Sequence, residues 1–419
     1  MQRDYFTRLL GIQGFVVNRM SLGKEGQRSY VILDLDRERQ EFVCSGCRQR
    51  IAEAIEYRER VVQHLSLWEH LTYVRVKQYR VNCPRCGLKV EELPFVEKYG
   101  RVTKSLGAQV YELCKVMTNK AVAMFQALDA RTVKSIDKGR LQEAQKNRAL
   151  DGISALGVDE IVVGKGKKNC WHIVSALDGP RGSEVIYIGP GRKEKNLNKF
   201  WKWFGKTRTR QIKVVVMDMW KGFINSFKAH CPGIVIVYDK FHVIRHLLNA
   251  LNKVRHQELK RLDKKLKGLL TGKKFILLSR LAHVRGKARE ALNELLCASP
   301  RLSRAHLLKE SFGHLWSYTS KTWAQKFWTS WKDSLKWARL KPYDSFVRMV
   351  DKHLDGILAY CDHKLPLGFI EATNLKAKNI IRRAYGFQDK EYMKLKIIQA
   401  CSSLGFFQPW SFSSFNNYS

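Results

Sequence analysis

Two short apolar runs, IKVVVMDMWKG at residues 212–222 and GIVIVYDKFHV at residues 233–243, decide how the middle of this chain folds. Each run is nearly continuous in apolar, largely β-branched residues, which is typical of a strand buried on both faces of a sheet. Each run then reaches a carboxylate, Asp218 or Asp239, at its carboxyl end. A carboxylate in such a place is costly unless it is paired, hydrogen-bonded or bound to a metal. The two runs therefore predict an acidic site at one edge of a central sheet.

Three further runs, ALGVDEIVVG (155–164), CWHIVSALD (170–178) and EVIYIGP (184–190), predict the other strands of this sheet, and Asp159 lies inside the first of them. We expect a third carboxylate from a helix and choose Glu371, which follows a Pro–Gly turn in LPLGFIEATNLKAKNIIRRAYGF (365–387). Two Asp and one Glu around a phosphate form a workable site for two Mg²⁺ or Mn²⁺ ions.

Each of these carboxylates, taken alone, is better explained as a helix cap or a surface ion pair, and only the set of three favours a metal site. Three other acids compete with them. Glu160 adjoins Asp159, but neighbours on a strand point to opposite faces, so only one of the two can reach the metals. Asp178 and Asp362 are candidates for outer positions.

The charge predicts a nucleic acid partner. The chain of 419 residues has 76 Lys and Arg against 38 Asp and Glu, a formal net charge of +38. An excess of this size repels itself unless an acidic partner neutralises it, and the phosphate backbone is the usual one. No apolar stretch is long enough to span a bilayer, and MQRDYFTRLL lacks the apolar core of a signal peptide. We therefore expect a cytosolic or nucleoid-associated protein without a membrane partner.

Four of the ten cysteines form two CxxC pairs, Cys44 with Cys47 and Cys83 with Cys86. Four thiolates suit tetrahedral zinc and leave no position for a substrate, so the site is predicted to be structural. The strand-like sequence between the pairs can return the second pair beside the first. A redox role and two unrelated thiol pairs are the weaker alternatives.

The stretch MTNKAVAMFQALDARTVKSIDKGRLQEA (117–144) predicts a helix-turn-helix. Its first helix covers about Asn119 to Ala127, and Thr132 is a candidate cap for the second. The second helix is expected to present Lys134, Ser135, Lys138 and Arg140 on one face to the DNA major groove. A plain helical hairpin is the alternative.

The long segment between Asp218 and Glu371 is predicted to be mostly helical. Its first part, KVRHQELKRLDKKLKGLLTGKK (253–274), is basic on nearly every turn, which favours DNA contact over a merely solvated face. The later part is rich in aromatic residues at near-helical spacing, so most should form a core, with one or two as candidates for stacking on an unpaired base. These residues are Trp316, Trp323, Phe327, Trp328, Trp331 and Trp337.

Four motifs in order resemble the ISL3 family of bacterial insertion-sequence transposases, and the resemblance covers most of the chain. They are GVDEIVVGKGK (157–167), VVVMDMWKGF (214–223), YDKFHVIRHLLNALNKVR (238–255) and GFIEATNLKAKNIIRRAYGF (368–387). A module of CxxC pairs followed by a helix-turn-helix is also similar to that family. One departure is that Ala372 and Thr373 stand between Glu371 and Asn374, where the family often has a VEGLN-like turn with glycine.

The resemblance implies an α/β multidomain DDE transposase with an RNase H-like core, a mixed sheet of strand order 3-2-1-4-5 and a helical insertion. It matches Asp159 and Asp218 to the two aspartates and Glu371 to the glutamate. Asp239 and His242 match the accessory (C/D)xxH motif of related transposases. Lys376, Lys378, Arg382 and Arg383, which follow Glu371, are expected near DNA phosphates.

The implied reaction is metal-dependent cleavage at terminal inverted repeats followed by transfer of the strand to target DNA, by a homodimer or larger assembly on paired ends of double-stranded DNA. Two alternatives are a DNA-binding regulator derived from a transposase and an RNase H-like nuclease or resolvase. The predicted domains are a zinc-binding domain (1–98), a helix-turn-helix (102–149), the first part of the catalytic core (152–243), a helical insertion (244–362) and the C-terminal part of the core (363–419).

Overall fold

The computed structural model describes residues 2–164, 169–261, 268, 271–384 and 387–405. The chain divides into two compact units, the first from the N-terminus to Asn147 and the second from Arg148 to Leu404. The finer division into five domains stays a prediction. Parts of three quoted motifs, at 165–168, at 262–267 with 269–270 and at 385–386, lie outside the described residues.

The first unit begins with a helix and a five-stranded sheet. Within the sheet the order is β1-β2-β6-β5, β7 pairs with β6, and β3 and β4 form a separate small ladder. One face is apolar because alternate residues such as Val31, Leu33 and Val74 point into a single core. The elements are α1 (Gln2–Leu10), β1 (Phe15–Glu25), β2 (Arg28–Arg37), β3 (Phe42–Val43), β4 (Arg50–Ile51), β5 (Glu56–Leu67), β6 (His70–Cys83) and β7 (Gly87–Val90).

Three helices complete the first unit: α2 (Lys104–Val116), α3 (Asn119–Gln126) and α4 (Ala130–Lys146). They pack on one another through a core that includes Val110, Val122 and Val133. The predicted pair of helices is present, but the predicted cap is wrong. Asp129, not Thr132, caps α4, because its carboxylate accepts the backbone N–H of Arg131 at 2.8 Å.

The second unit is built on a five-stranded sheet of order β10-β9-β8-β11-β12. Numbered within this sheet, that order is 3-2-1-4-5, as the resemblance implies. β8 pairs antiparallel with β9 and parallel with β11, and β11 pairs parallel with β12. Its strands are β8 (Ala155–Val162), β9 (Cys170–Gly179), β10 (Gly182–Pro190), β11 (Val214–Met217) and β12 (Val235–Tyr238).

Helices cover both faces of this sheet, which is why all four residues of β11 are buried. On one face lie α5 (Glu194–Phe204) and α7 (Lys221–His230), with the short α6 (Lys206–Thr209) between them in the chain. Close approach on the other face depends on Gly157 of β8: a Cβ there would lie 2.8 Å from the Ile370 side chain.

Between β12 and residue 361 every described element is a helix. They are α8 (Lys240–Arg261), α9 (Lys274–Leu278), α10 (Lys287–Ala298), α11 (Pro300–Phe312), α12 (Lys321–Ala338), α13 (Lys341–Lys352) and α14 (Leu354–Leu358), with three short 3-10 turns. Two helices then return to the sheet, α15 (Leu367–Arg383) and α16 (Lys390–Ala400). No helix in the described ranges has the length and apolar character needed to cross a membrane.

The aromatic residues of the helical segment divide into two groups. Trp328 and Trp331 stack at 5.3 Å between ring centroids and form a buried core with Phe312 and Phe346. Trp316 and Phe327 are partly buried against this core. Trp323 and Trp337, in contrast, are 59% and 84% exposed. The core prediction is confirmed for most of the set, and these last two remain candidates for contact with a partner.

Candidate active site and metal centres

Three aspartates lie side by side on three neighbouring parallel strands, Asp159 inside β8 and Asp218 and Asp239 directly after the ends of β11 and β12. Met217 of β11 pairs with Val158 of β8 on one side and with Tyr238 of β12 on the other. The next residue of each strand is therefore in register too, and those residues are Asp159, Asp218 and Asp239. Because side chains alternate along a strand, all three share one face of the sheet.

His242 ties two of these aspartates together. It lies in the first turn of α8, which begins immediately after Asp239. Its Nδ1 is 3.2 Å from the Asp239 carboxylate and its Nε2 is 3.8 Å from that of Asp218. Burial lowers the pKa of His242, but the hydrogen bond to Asp239 and the neighbouring negative charges outweigh burial and raise the pKa above its ordinary value. The imidazole therefore favours its charged form beside this row of acids.

Asp159 is held from two sides. It accepts the backbone N–H of Glu160 at 2.7 Å and the side-chain N–H of Asn374 from α15. Burial raises the pKa of the Asp159 carboxyl, and the charge of Asp239 acts in the same direction. The Oδ1 atom of Asn374 is buried and has no hydrogen-bond partner. A cation or a hydrogen-bond donor near Asp159 would satisfy this unpartnered oxygen.

Glu371 is not drawn into this cluster. It is exposed on α15, three residues before Asn374, and lies on the same outward stripe of the helix as Leu375, Lys378 and Arg382. Among the predicted acids, the structure thus brings together Asp159 and Asp218 with the accessory pair Asp239 and His242. Asn374 was not assigned a role from the sequence. The available signal was that Asn374 lies three residues after Glu371, on the helix that covers Asp159.

The three competing acids lie elsewhere. Glu160 points to the opposite face from Asp159, where it contacts Arg192 at 3.5 Å, as the alternation of a strand requires. Asp178 accepts the backbone N–H groups of Ser154 and Ala155, at the amino end of β8. Asp362 pairs with Lys321 at 2.8 Å. None of the three joins the row of aspartates.

The row of carboxylates suits a hard divalent cation by its chemistry, since Mg²⁺ and Mn²⁺ take oxygen ligands. The row of three acids and the unpartnered oxygen of Asn374 indicate a place where positive charge is stabilising. The spacing is open: in the described part of the chain no three carboxylate or imidazole groups have ligand atoms within 4.8 Å of one another. The carboxylates therefore suit the ions by their chemistry, without forming a closed set of ligands.

The four cysteines of the first unit form a closed cluster. Their sulfurs all lie within 4.8 Å of one another, and the Sγ atoms of Cys47 and Cys83 are 3.4 Å apart. A tetrahedron of sulfurs about 2.3 Å from zinc has edges of about 3.8 Å, so the cluster has the size of a four-cysteine zinc site. Cys44 ends the β3 strand, and Cys83 ends β6 where it turns into β7. The long insertion between the pairs is the hairpin of β5 and β6.

Local chemistry at this cluster also requires a cation. Burial disfavours ionisation of Cys83, but hydrogen bonds from the backbone N–H groups of Arg85 and Cys86 lower its pKa to about 7. The thiol of Cys47, followed by burial, raises the pKa of Cys86 to about 12. Without a metal the cluster cannot hold four thiolates at neutral pH. A Cβ at Gly46 would lie 3.0 Å from the Cys86 sulfur, so a larger residue there would crowd the cluster.

The basic residues predicted on α4 do not all share a face. Helical spacing places Lys134 and Lys138 with Arg131 and Ser135, as expected. The prediction that Arg140 shares this face is wrong. Its side chain points away from the others and lies 3.9 Å from Glu97 and 3.8 Å from Glu143. Arg140 lies two residues after Lys138, and two residues correspond to more than half a turn of helix, so the two side chains point in different directions.

The basic residues of α15 are mostly free of the core. Lys378, Arg382 and Arg383 are exposed, and Lys376 donates to the carbonyl of Ala400 at 3.3 Å. Together with Glu371 they give this helix a solvent face that is acidic at one end and basic along the rest.

Comparison with known proteins agrees with these features. The model of a transposase family, ISL3 of the DDE type, matches residues 156–397, and the zinc-finger of the transposases of IS204, IS1001, IS1096 and IS1165 matches residues 40–86. The transposase for insertion sequence element IS1001 of Bordetella parapertussis is 29% identical over 95% of this chain and 98% of its own length. The transposase for insertion sequence element IS1557 of Mycobacterium tuberculosis is 24% identical over 78% of this chain and 79% of its own. Because the family model covers more than half of the chain, the protein belongs to the ISL3 family of DDE transposases.

Proposed function

We propose that this transposase binds the terminal inverted repeats of an insertion sequence, cuts the DNA there in a metal-dependent reaction, and joins the freed end to target DNA. The observation that carries the proposal is the row of Asp159, Asp218 and Asp239 at one edge of the sheet. The chain that carries this row belongs to a family of DNA transposases, whose substrate is DNA.

The catalytic unit is proposed to be an RNase H-like core interrupted by a helical insertion. The strand order and the mixture of parallel and antiparallel pairs support this, as do the helices on both faces. Ligands of open α/β sheets bind beyond the carboxyl ends of the parallel strands, and that is where Asp218 and Asp239 follow β11 and β12.

Asp159, Asp218 and Glu371 are proposed to hold the divalent ions. When bound there, two ions would supply activation of the attacking oxygen and charge stabilisation of the leaving oxygen, so that no covalent intermediate with the protein would be needed. Asn374 fixes the rotamer of Asp159 through its N–H. His242 contacts Asp239 through Nδ1 and lies beside Asp218 through Nε2, so it is proposed to orient these two carboxylates.

The identity of the third acid has two candidates. Glu371 is proposed because it matches the family's glutamate, and α15 is anchored on β8 beside Asp159. Asp239 is the rival, since it lies in register with Asp218. Its carboxylate is already engaged, however, by His242 and by the backbone N–H of Phe241 at 2.9 Å. This engagement favours a supporting role for Asp239.

Recognition of the inverted repeats is assigned to the first unit. The zinc ribbon stabilises the fold around the β5–β6 hairpin, and α3 with α4 is proposed to act as a helix-turn-helix. Lys134 and Lys138 would then face double-stranded DNA, and Arg140 would support α4 through Glu97. Lys376, Lys378, Arg382 and Arg383 are proposed to contact phosphates near the cut. Because two ends must be cut together, we propose a dimer or larger assembly on paired ends.

A panel of isosteric variants tests the proposal: Asp159→Asn, Asp218→Asn, Glu371→Gln and Asp239→Asn, with Asp362→Asn as the control. Cleavage of a labelled DNA fragment carrying the element's end is measured in Mg²⁺, beside binding of the same fragment. The first three should lose cleavage by about 10³-fold or more while DNA binding is kept. Full activity of Glu371→Gln with loss in Asp239→Asn would exchange the roles of those two acids.

The same assay separates the alternatives. A regulator derived from a transposase would bind the end and cut nothing in either Mg²⁺ or Mn²⁺. A nuclease or resolvase would cut without joining the product to a target plasmid. Cleavage followed by joining is the outcome that the proposed function requires.

A further inference from the structure

We propose that the groove between α8 and α13 is a binding site for one unpaired nucleotide of the DNA strand next to the cut phosphodiester. The inference rests on the proposed function and deepens it, because it assigns a substrate contact to the helical segment.

The groove is a half-open cavity of about 510 Å³. Its polar lining comes from α8, as His246, Asn249, Asn252 and Lys253, and its apolar lining includes Phe346 and Met349 of α13. A cavity of this volume can hold a small ligand, but it is far too narrow for a DNA duplex. A single nucleotide turned out of the helix has the right size.

The groove is lined by the helix that begins directly after Asp239, the last of the three aspartates. His246 lies one helical turn beyond His242, whose Nε2 is 3.8 Å from Asp218. Burial lowers the pKa of His246, and the charge of Asp218 acts on it in the opposite direction, which places the two groups near each other. At the end of α13, His353 contacts the Tyr238 hydroxyl at 3.2 Å, so this helix also ends beside β12. A strand whose phosphate lies at Asp218 would therefore have its neighbouring nucleotides within reach of the groove.

The lining matches the parts of a nucleotide. Met349 offers a partly exposed apolar surface to the face of a base, with the buried ring of Phe346 behind it, and the amide of Asn249 provides both a donor and an acceptor for a base edge. Asn252 is oriented by Arg255, whose Nε donates to its Oδ1 at 2.9 Å. Lys253 provides a positive charge for the phosphate. A purely apolar or acidic ligand would leave most of these groups without partners.

Charge complementarity favours nucleic acid over other occupants. α8 carries six Lys or Arg and one Glu along its 22 residues. An acidic partner is therefore attracted along this helix, and only at its beginning does it meet the aspartates. A nucleotide in the groove would be stabilised by the basic helix while its neighbouring phosphodiester reaches the acidic row.

An abasic scan through the end of the element tests this proposal. A single abasic site is moved through the nucleotides around the cut in a labelled fragment, and cleavage is measured in Mg²⁺ for the full-length protein. In the unaltered protein, an abasic site at one position should lower the cleavage rate about tenfold, which is the usual effect of losing one stacking contact. Two variants alter the groove: Asn249→Ala removes a polar group, and Ser345→Trp fills the groove from an exposed position. On intact DNA each should cleave about tenfold more slowly than the unaltered protein. The abasic site at the sensitive position should then cause no further decrease in their cleavage rates.

The control is Asn225→Ala, an exposed amide on α7 outside the groove, which should respond to the abasic site as the unaltered protein does. A second readout does not need cleavage: 2-aminopurine at the sensitive position should fluoresce on binding, and less so with Asn249→Ala. The proposal would be overturned if, at every position, the abasic site lowered the cleavage rate of the groove variants by the same factor as that of the unaltered protein. It would also be overturned if both groove variants gave the same fluorescence signal as the unaltered protein. If the unaltered protein binds the end but never cuts it, the proposed function fails, and the fluorescence comparison alone decides the groove.

Discussion

The side-chain amide of Asn374 on α15 donates a hydrogen bond to the carboxylate of Asp159 on β8. This contact joins residues 215 positions apart and fixes the helix that carries Glu371 against the strand that carries the first aspartate. The geometry of the proposed active site therefore depends on an uncharged residue. Its own Oδ1 atom is buried without a partner beside that carboxylate.

Replacing Asn374 should weaken catalysis more than folding. In Asn374→Ala the carboxylate of Asp159 loses an oriented donor, so cleavage should fall about 10–100-fold and the Mg²⁺ concentration needed for half-maximal rate should rise. Asn379→Ala, an exposed amide on the same helix, is the matched control. Equal rates and equal Mg²⁺ dependence in the two variants would show that Asn374 only packs α15.

Residues that act through local patterns could be predicted from the sequence. The carboxylates at the ends of β11 and β12 follow from apolar runs that end in an acid, and the zinc site follows from two CxxC pairs. The contact of Asn374 could not be predicted, because it depends on how α15 is rotated on β8. The direction of Arg140, in contrast, could be predicted, because two residues after Lys138 correspond to more than half a turn of helix.

Removing two zinc ligands should open the first unit. Cys83→Ser with Cys86→Ser should release about one zinc per chain and lower the melting temperature, because metal binding and folding are coupled in such sites. Cys297→Ser, at an exposed cysteine, should keep the full zinc content. Metal analysis of the purified proteins makes the comparison, and unchanged zinc in the double variant would refute the assignment.

The basic face of α15 should contribute to salt-dependent DNA binding. Lys378→Ala with Arg382→Ala removes two exposed charges, so the slope of log K against log salt concentration should decrease in magnitude by about 2. Lys199→Ala with Lys202→Ala, on exposed positions of α5, provides a control with the same change in charge. If both pairs change the slope equally, α15 has no special place at the DNA.

Acid should destabilise the first unit through His64. Burial lowers the pKa of His64 to about 4 in the folded protein, and its Nδ1 lies 2.9 Å from the Thr103 hydroxyl, which caps α2. The unfolded chain therefore binds the extra proton at a higher pH, so stability is complete above pH 6.5 and declines as the pH falls towards 4.

Between pH 7.5 and pH 5.5 this proton should cost about 1.4 kcal/mol of unfolding free energy. Denaturant unfolding of the first unit should show that loss in the unaltered protein and not in His64→Gln. An identical decrease in both proteins would assign the acid sensitivity to other groups, among them the zinc thiolates.

The most direct measurement is cleavage and joining of the element's own end. A labelled fragment with the terminal repeat is incubated with the protein, a target plasmid and Mg²⁺ or Mn²⁺, beside the Asp218→Ala variant at equal DNA binding. Cutting at the end, transfer of the label to the plasmid and the absence of both in the variant are the predicted results. Cutting and transfer by the Asp218→Ala variant at the unaltered rate would contradict the assignment of the active site.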